Sequence, residues 1–231
     1  MSGLLTANPV YKPFRYPWAY EAWLMQQRLH WLPEEVPLAE DVRDWAKSLS
    51  PAERNLLTQV FRFFTQSDVE VNNCYMQHYA SVFKPTEVRM MLAAFSNIET
   101  IHISAYSHLL DTLGMPETEY EAFLHYKEMT DKWDYMRGFN VDSKRDIAKT
   151  MAMFGAFTEG LQLFASFAIL LNFPRFNKMK GMGQIVAWSA RDETLHMQSV
   201  VRLFKTFIAE NPEVWDEDLE RELYRACETV V

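Results

Sequence analysis

The chain is short of the residues that staple small folds or turn tight hairpins. Of its 231 residues, 2 are cysteine and 7 are glycine. Cys74 and Cys227 are too few for a disulfide framework and suit a reducing cytoplasm. No stretch alternates polar and apolar residues as a half-buried strand does, and so little glycine suits long helices better than sheets. A basic excess is also lacking. Lys and Arg number 23 against 31 Asp and Glu, a formal net charge of −8, which argues against a nucleic-acid surface. The N-terminus has no basic start followed by an apolar run, so no signal peptide is read there. No uninterrupted apolar run reaches the roughly 18 residues of a membrane span, so no membrane partner is expected. No Gly/Ser- or Pro-rich linker divides the chain, and 1–231 reads as one domain with a sizeable core.

What is present is helical punctuation and 48% hydrophobic residues. Residues 1–15 read as irregular. A first helix is expected from Tyr16 to His30, with Pro17 near its start, and a short one from Leu38 to Leu49. Ser50-Pro51-Ala52-Glu53 is a capping box with proline at the first helical position, opening a helix to about Phe83. Thr86-Glu87 opens the next, stopped at Gly114-Met115-Pro116. Thr118 to about Met136 reads as a peripheral helix. Asp142 and Ser143 cap one that reaches Asn172. Gly183 to Ala209 and Pro212 to Val231 complete the set.

The stretch from Leu92 to Leu110 carries Glu99, His102 and Tyr106 on one apolar stripe, because residues three and four apart share a helix face. A buried acid is costly unless something positive compensates it, and Glu-x-x-His on such a stripe suits two ligands of one metal. The spacing recurs as Glu193 and His196. Each pair has a lone carboxylate on the helix before it: Asp68 in the stripe Phe61, Phe64, Val71, Tyr75, and Glu159 among small apolar residues. One acid from each of two helices and Glu-x-x-His from two others is the pattern of di-iron and di-manganese four-helix bundles. The expected fold is therefore all-α, ferritin-like, with a four-helix di-metal core and additional peripheral helices.

Four carboxylates and two neutral imidazoles carry four negative charges, which two divalent ions balance; two trivalent ions with one oxide bridge do the same. Oxygen and imidazole donors without a thiolate set suit iron or manganese. Tyr106 lies about 6 Å along the helix axis from His102. It reads as a one-electron donor or as a core tyrosine whose hydroxyl finds a partner. Asp192 projects away from Glu193 and reads as an acid orienting a ligand histidine or as a solvated residue beside Arg191. From spacing alone Trp31 is a packing anchor. His30, His78, His108 and His125 lack matched partners and read as structural or exposed.

From HWLPEEV (30–36) through ARDETLH (190–196) and into the following helix, the chain resembles the radical-generating small subunit of class I ribonucleotide reductase. By matched position the resemblance implies metal ligands Asp68, Glu99, His102, Glu159, Glu193 and His196. It implies a radical tyrosine at Tyr106 and a radical-transfer tryptophan at Trp31. Asp192 would join Trp31 to His102, and Phe167 would shield the radical. The implied cofactors are two iron ions, or manganese or mixed manganese and iron, with an oxide bridge derived from dioxygen. The implied activity is ribonucleoside-diphosphate reductase: the oxidising equivalent passes to a separate large subunit, which reduces ribonucleotides to deoxyribonucleotides. A homodimer is implied, with no nucleotide substrate on this chain. Two features depart from the family. Its members generally continue to a flexible tail that docks on the large subunit, whereas this chain stops at Val231 within an amphipathic helix, so the C-terminal part of the family fold is expected to be missing. Ser189 also stands where the family tends to be apolar. The competing readings are a di-metal oxidase acting on a bound small molecule, and a non-catalytic iron-handling or partner-binding bundle.

Overall fold

The computed structural model describes residues 3–230. Its α-helices are α1 (Pro17–Arg28), α2 (Ala39–Arg43), α3 (Pro51–Asn73), α4 (Ala80–Val82), α5 (Thr86–Thr112), α6 (Thr118–Glu121), α7 (Lys127–Arg137), α8 (Lys144–Met151), α9 (Leu163–Leu170), α10 (Asn172–Arg175), α11 (Lys180–Glu210) and α12 (Glu217–Val230). No strand occurs among the described residues. A π-helical stretch, Cys74–Tyr79, joins α3 to α4, and a longer one, Ala152–Gln162, joins α8 to α9. The four core rods are thus α3, α5, the run from α8 through α9, and α11.

Local chemistry sets several of these ends. Ser50 Oγ accepts the Glu53 N–H while Glu53 accepts the Ser50 N–H, the reciprocal cap read from the sequence. Ser143 Oγ accepts the Asp146 N–H and opens α8. Gly114, at φ 71°, ends α5 in the left-handed conformation that glycine adopts without strain.

The last helix, expected from Pro212 to Val231, starts at Glu217 after a 3-10 turn at Pro212–Val214, while Val231 lies outside the described residues. The structure differs from expectation in four further places. The helix expected from Thr118 to Met136 is broken. A 3-10 turn, Ala122–His125, buries Phe123, and Tyr126 leaves the helical region (φ −110°, ψ 114°) before α7 starts. Phe123 then packs edge-on against Trp133, a tertiary contact that outweighs helix propensity. Second, α11 starts at Lys180, ahead of Gly183. Its first N–H groups are taken by an acid distant in sequence: Asp41 accepts from Gly181 and Met182, both at 2.8 Å. A Cβ on Gly181 would lie 2.7 Å from Pro37 O, so only glycine lets this end approach α2. Third, the π-helical stretches carry no sequence signature that was read. Fourth, the run Lys144–Arg175 contains an 18-residue window apolar enough to cross a membrane by length and composition. Counting uninterrupted apolar runs passed over it because Glu159 lies within. Its inner face packs on α11 and α3, while Leu161 and Ile169 are exposed.

Two apolar clusters fill the bundle, and each core rod crosses from one to the other. On α3 the crossing falls between Phe64 and Val71, on α5 between Phe95 and Ile98, on the run from α8 through α9 between Phe154 and Leu163, and on α11 between Val186 and Val200. Asp68, Glu159 and Glu193 lie within three of these intervals, and Glu99 directly follows the fourth. The hydrophobic interior is therefore interrupted at one level of the bundle by a layer of acids.

Candidate metal centre

All six side chains read as metal donors meet at that level, each at most 2% exposed. They form two overlapping groups: Asp68, Glu99, His102 and Glu193, and Glu99, Glu159, Glu193 and His196, with donor atoms in each within 4.8 Å of one another. Glu99 and Glu193 belong to both, so the arrangement has two positions for a cation and two acids able to serve either.

The imidazoles face the same way. Nδ1 of His102 lies 3.2 Å from Glu193 Oε1, and Nδ1 of His196 lies 3.0 Å from Glu99 Oε1. Their outer nitrogens are held from behind. His102 Nε2 is 3.2 Å from Asp192 Oδ2, and His196 Nε2 is 3.0 Å from Gln26 Oε1. Both partners are acceptors, so Nε2 holds the proton of each neutral imidazole and Nδ1 is the nitrogen left to face the acids. This is how a protein presents histidine to a metal.

Eight buried polar atoms around this space have no hydrogen-bond partner: Asp68 Oδ2, both carboxylate oxygens of Glu99 and of Glu193, Glu159 Oε2, and the two Nδ1 atoms. Orphaned buried acceptors cost about 1–3 kcal/mol each, more when charged. Hard-oxygen and imidazole donors converging in one buried space fit divalent iron or manganese.

The electrostatics show the same strain. Burial and then the Glu99 charge raise the Asp68 pKa well above the carboxylate range. Burial, assisted by the Glu193 charge, pushes Glu159 up to about 8. Burial opposes charging His102 and His196, yet the surrounding acids outweigh it and raise both well above the ordinary histidine value. Burial also opposes ionising Glu99, but the two histidines hold its pKa below the usual value.

Trp31 Nε1 donates to Asp192 Oδ2 at 2.8 Å, the same oxygen that holds His102. Trp31 is therefore more than a packing anchor, and Asp192 is buried rather than solvated. Arg191 Nη2 donates to Leu29 O at 2.7 Å and fixes the backbone leading to Trp31. Tyr106 is buried with its ring edge-on to Phe64 at 4.8 Å, and Phe167 packs against Phe64 at 5.5 Å. The Tyr106 hydroxyl donates to Ser189 Oγ at 3.1 Å. Burial and then the Asp68 charge raise its pKa above the phenol value. His30, His108 and His125 are exposed and His78 is half-buried, apart from the cluster.

Two residues escaped the sequence reading of the site. Gln26, on α1, is 3% exposed behind His196, and nothing local marks a glutamine as a histidine's partner. Tyr75 donates to Glu159 Oε1 at 2.7 Å. It shares the Asp68 stripe, two turns on, which was signal enough to place it facing the core.

The family model for "Ribonucleotide reductase, small chain" matches residues 8–231. The protein named probable ribonucleoside-diphosphate reductase small subunit of Invertebrate iridescent virus 6 is 48% identical over 222 residues, covering 90% of this chain and 62% of that relative. Its counterpart in Invertebrate iridescent virus 3 is covered to 60%, so the chain spans about six-tenths of the length of these curated relatives. The ribonucleotide reductase R2 subunit from Clostridium botulinum superposes with a TM-score of 0.88 at 22% identity, covering 98% of this chain and 74% of that one. The dimanganese(II)-NrdF of Streptococcus sanguinis gives 0.82 at 19%, covering 97% and 79%. At these identities the two structures establish the shared fold, the ferritin-like helical bundle.

Proposed function

The chain belongs to the ribonucleotide reductase small-chain family, and from that premise we propose that it forms the radical-generating core of a ribonucleoside-diphosphate reductase small subunit. The observation that carries the proposal is the convergence of six buried donor side chains from four rods, with both histidines tied from behind. Asp68, Glu99, His102, Glu159, Glu193 and His196 would hold two metal ions, iron or manganese or one of each. When bound, the metals supply dioxygen activation and one-electron oxidising power.

The remaining work falls to the chain's own residues. Glu99 and Glu193 are placed to be shared by both ions. Asp192 and Gln26 set the histidine tautomers. Phe64 and Phe167 keep water from the Tyr106 ring, the group proposed to lose one electron and its phenolic proton. The bonds joining Trp31, Asp192 and His102 give the oxidising equivalent a connected route away from the cluster. Its destination in this reading is a separate large subunit, where ribonucleotides are reduced. A homodimer and a single domain across 1–231 belong to the same proposal, and free Cys74 and Cys227 suit a reducing compartment such as the cytoplasm. The small-molecule oxidase reading is not favoured, since the chain's 48% identical relative is a reductase small subunit by name.

The test is metal analysis with electron paramagnetic resonance on the chain reconstituted separately with iron and with manganese. About two metals per chain are expected from this donor set, together with a tyrosyl signal that Tyr106→Phe removes. An undiminished signal in that variant would overturn the role of Tyr106.

A further inference from the structure

The phenol of Tyr106 sits in an apolar shell that includes Phe64, Phe167 and Ile185. A hydroxyl in such a shell is costly unless it is bonded. Its partner is Ser189 Oγ at 3.1 Å, and both side chains are 1% exposed. The α11 helix brings this about by register. Trp188 meets Trp31 with ring centroids 5.2 Å apart, Ser189 meets Tyr106, and Asp192 meets His102. Successive helical residues point about 100° apart, so one turn of α11 serves three partners.

We propose that Ser189 is the positioning residue of Tyr106: its hydroxyl, not a carboxylate of the cluster, sets the orientation and hydrogen-bonding state of the phenol. The proposal rests on the reading of Tyr106 given above. A serine hydroxyl both accepts and donates, whereas an ionised carboxylate only accepts. While Tyr106 keeps its proton, Ser189 accepts it in a hydrogen bond. In the neutral radical read for Tyr106 above, the electron has passed to the oxidised metal centre and the phenolic proton to the basic oxygens held there. The phenol oxygen can then only accept, and Ser189 turns to donate. A carboxylate in the same place would lose its bond at that moment and face the oxygen with like polarity. Ser189 therefore holds the ring in both states, and it ties α5 to α11 beside the donor cluster.

Ultraviolet resonance Raman spectra of the metal-free protein test this directly. Subtracting Tyr106→Phe from wild type isolates Tyr106 from the other tyrosines, and the same subtraction is made in the Ser189→Ala background. The Tyr106 band is expected at the position of a hydrogen-bonded phenol in wild type, to shift to that of an unbonded phenol in Ser189→Ala, and to return in Ser189→Thr. Circular dichroism confirms that each variant is folded. An unshifted band in Ser189→Ala overturns the proposal. After reconstitution with iron and dioxygen, the largest g value of the radical should rise in Ser189→Ala, and coupling to an exchangeable deuteron should be lost; if both stay at their wild-type values, Ser189 does not hold the oxidised form. A wild type that yields no Tyr106 radical would refute the reading of Tyr106, while the metal-free spectra still decide the role of Ser189.

Discussion

On one side of the cluster Asp68 and His102 lie toward Tyr106, whose hydroxyl finds a neutral partner in Ser189. On the other Glu159 and His196 lie beside Tyr75, whose hydroxyl finds Glu159 itself. The same donor types are laid out twice along the chain, yet what stands behind them differs. His102 is backed by the carboxylate of Asp192, which also binds Trp31, and His196 by the neutral amide of Gln26. The helices differ as well. Glu99 and His102 lie in regular α-helix, whereas Glu159 lies in the π-helical stretch Ala152–Gln162. Repetition supplies the candidate donors, and the asymmetry lies in the layer that supports them; in the reading proposed here, that layer sends the oxidising equivalent past His102.

The sharpest test of this division is to remove a shared acid and compare it with an unshared one. Glu99 belongs to both donor groups, Asp68 and Glu159 to one each. Glu99→Ala is expected to bring metal content from about two per chain close to zero, since both positions of a carboxylate-bridged pair lose a donor. Asp68→Ala and Glu159→Ala should each spare one site. Metal analysis after equilibration at limiting metal decides it, and equal losses in all three variants would dissolve the distinction between shared and unshared acids.

The supporting layer comes next. Partners behind a ligand histidine are typically worth about 10–100-fold in metal affinity. Charge-assisted hydrogen bonds are roughly twice as strong as neutral ones. Asp192→Ala should therefore weaken metal binding more than Gln26→Ala does, and it alone should also free the Trp31 indole. Competition titrations against a chelator measure the first effect and the tryptophan fluorescence of the metal-free variants the second. Equal losses in both would mean that the charge of Asp192 does not matter to His102.

This asymmetry also marks what was legible in the sequence. The convergence of the six side chains was readable because acids and histidines recur at helical spacing on otherwise apolar stripes. Glu99 stands out as a buried acid among Phe95, Ile98 and Ala105. Trp31 and Asp192 gained their roles from family resemblance, and their shared hydrogen bonds bear out only their contact. Gln26 was invisible because it is distant in sequence and belongs to no motif. The same holds for the Asp41 cap on α11: α2 and α11 meet only after folding, so the local sequence around Lys180 could not announce where the helix begins. The break at Tyr126 was hidden because the burial of Phe123 against Trp133 is tertiary.

Acidity separates the empty cluster from the filled one. Glu159 is pushed up to about 8, and His102 and His196 are raised well above 6.5. Groups raised on folding keep protons that the unfolded chain releases. Their stabilisation is present at low pH and fades as pH rises, from the ordinary value of 4.5 to about 8 for Glu159 and above 6.5 for the histidines. Glu99 and Asp192 are lowered, and their contribution is lost instead as pH falls below the carboxylate range. The metal-free protein should accordingly melt lower at about pH 9 than at about pH 6, by about 2–4 °C for each kcal/mol lost. Metal must displace those protons, so the rise in melting temperature on loading should grow over the same window. Calorimetry of both forms gives the two slopes, and a metal-free melting point that climbs toward pH 9 would contradict the proton inventory.

The smallest expected effect concerns the helix that carries Glu159. Gly155 lies within the π-helical stretch, and a Cβ there would come 2.3 Å from Val200 Cγ1 on α11. No rotation of a methyl group relieves that contact, so the rods must separate or Val200 must change rotamer. Overpacking of this kind costs about 1–3 kcal/mol. Gly160, in the same stretch, would place its Cβ 3.0 Å from Met197 Cγ, a flexible side chain that can move. Gly155→Ala should therefore lower the melting temperature by more than Gly160→Ala, and Gly155→Ala with Val200→Ala should recover part of the loss. Because the strain falls on the stretch that bears Glu159, affinity at the metal position served by Glu159 and His196 should weaken before the position served by Asp68 and His102. Equal weakening at both positions in Gly155→Ala would show that the π-helical stretch does not seat Glu159 independently of the rest of the bundle.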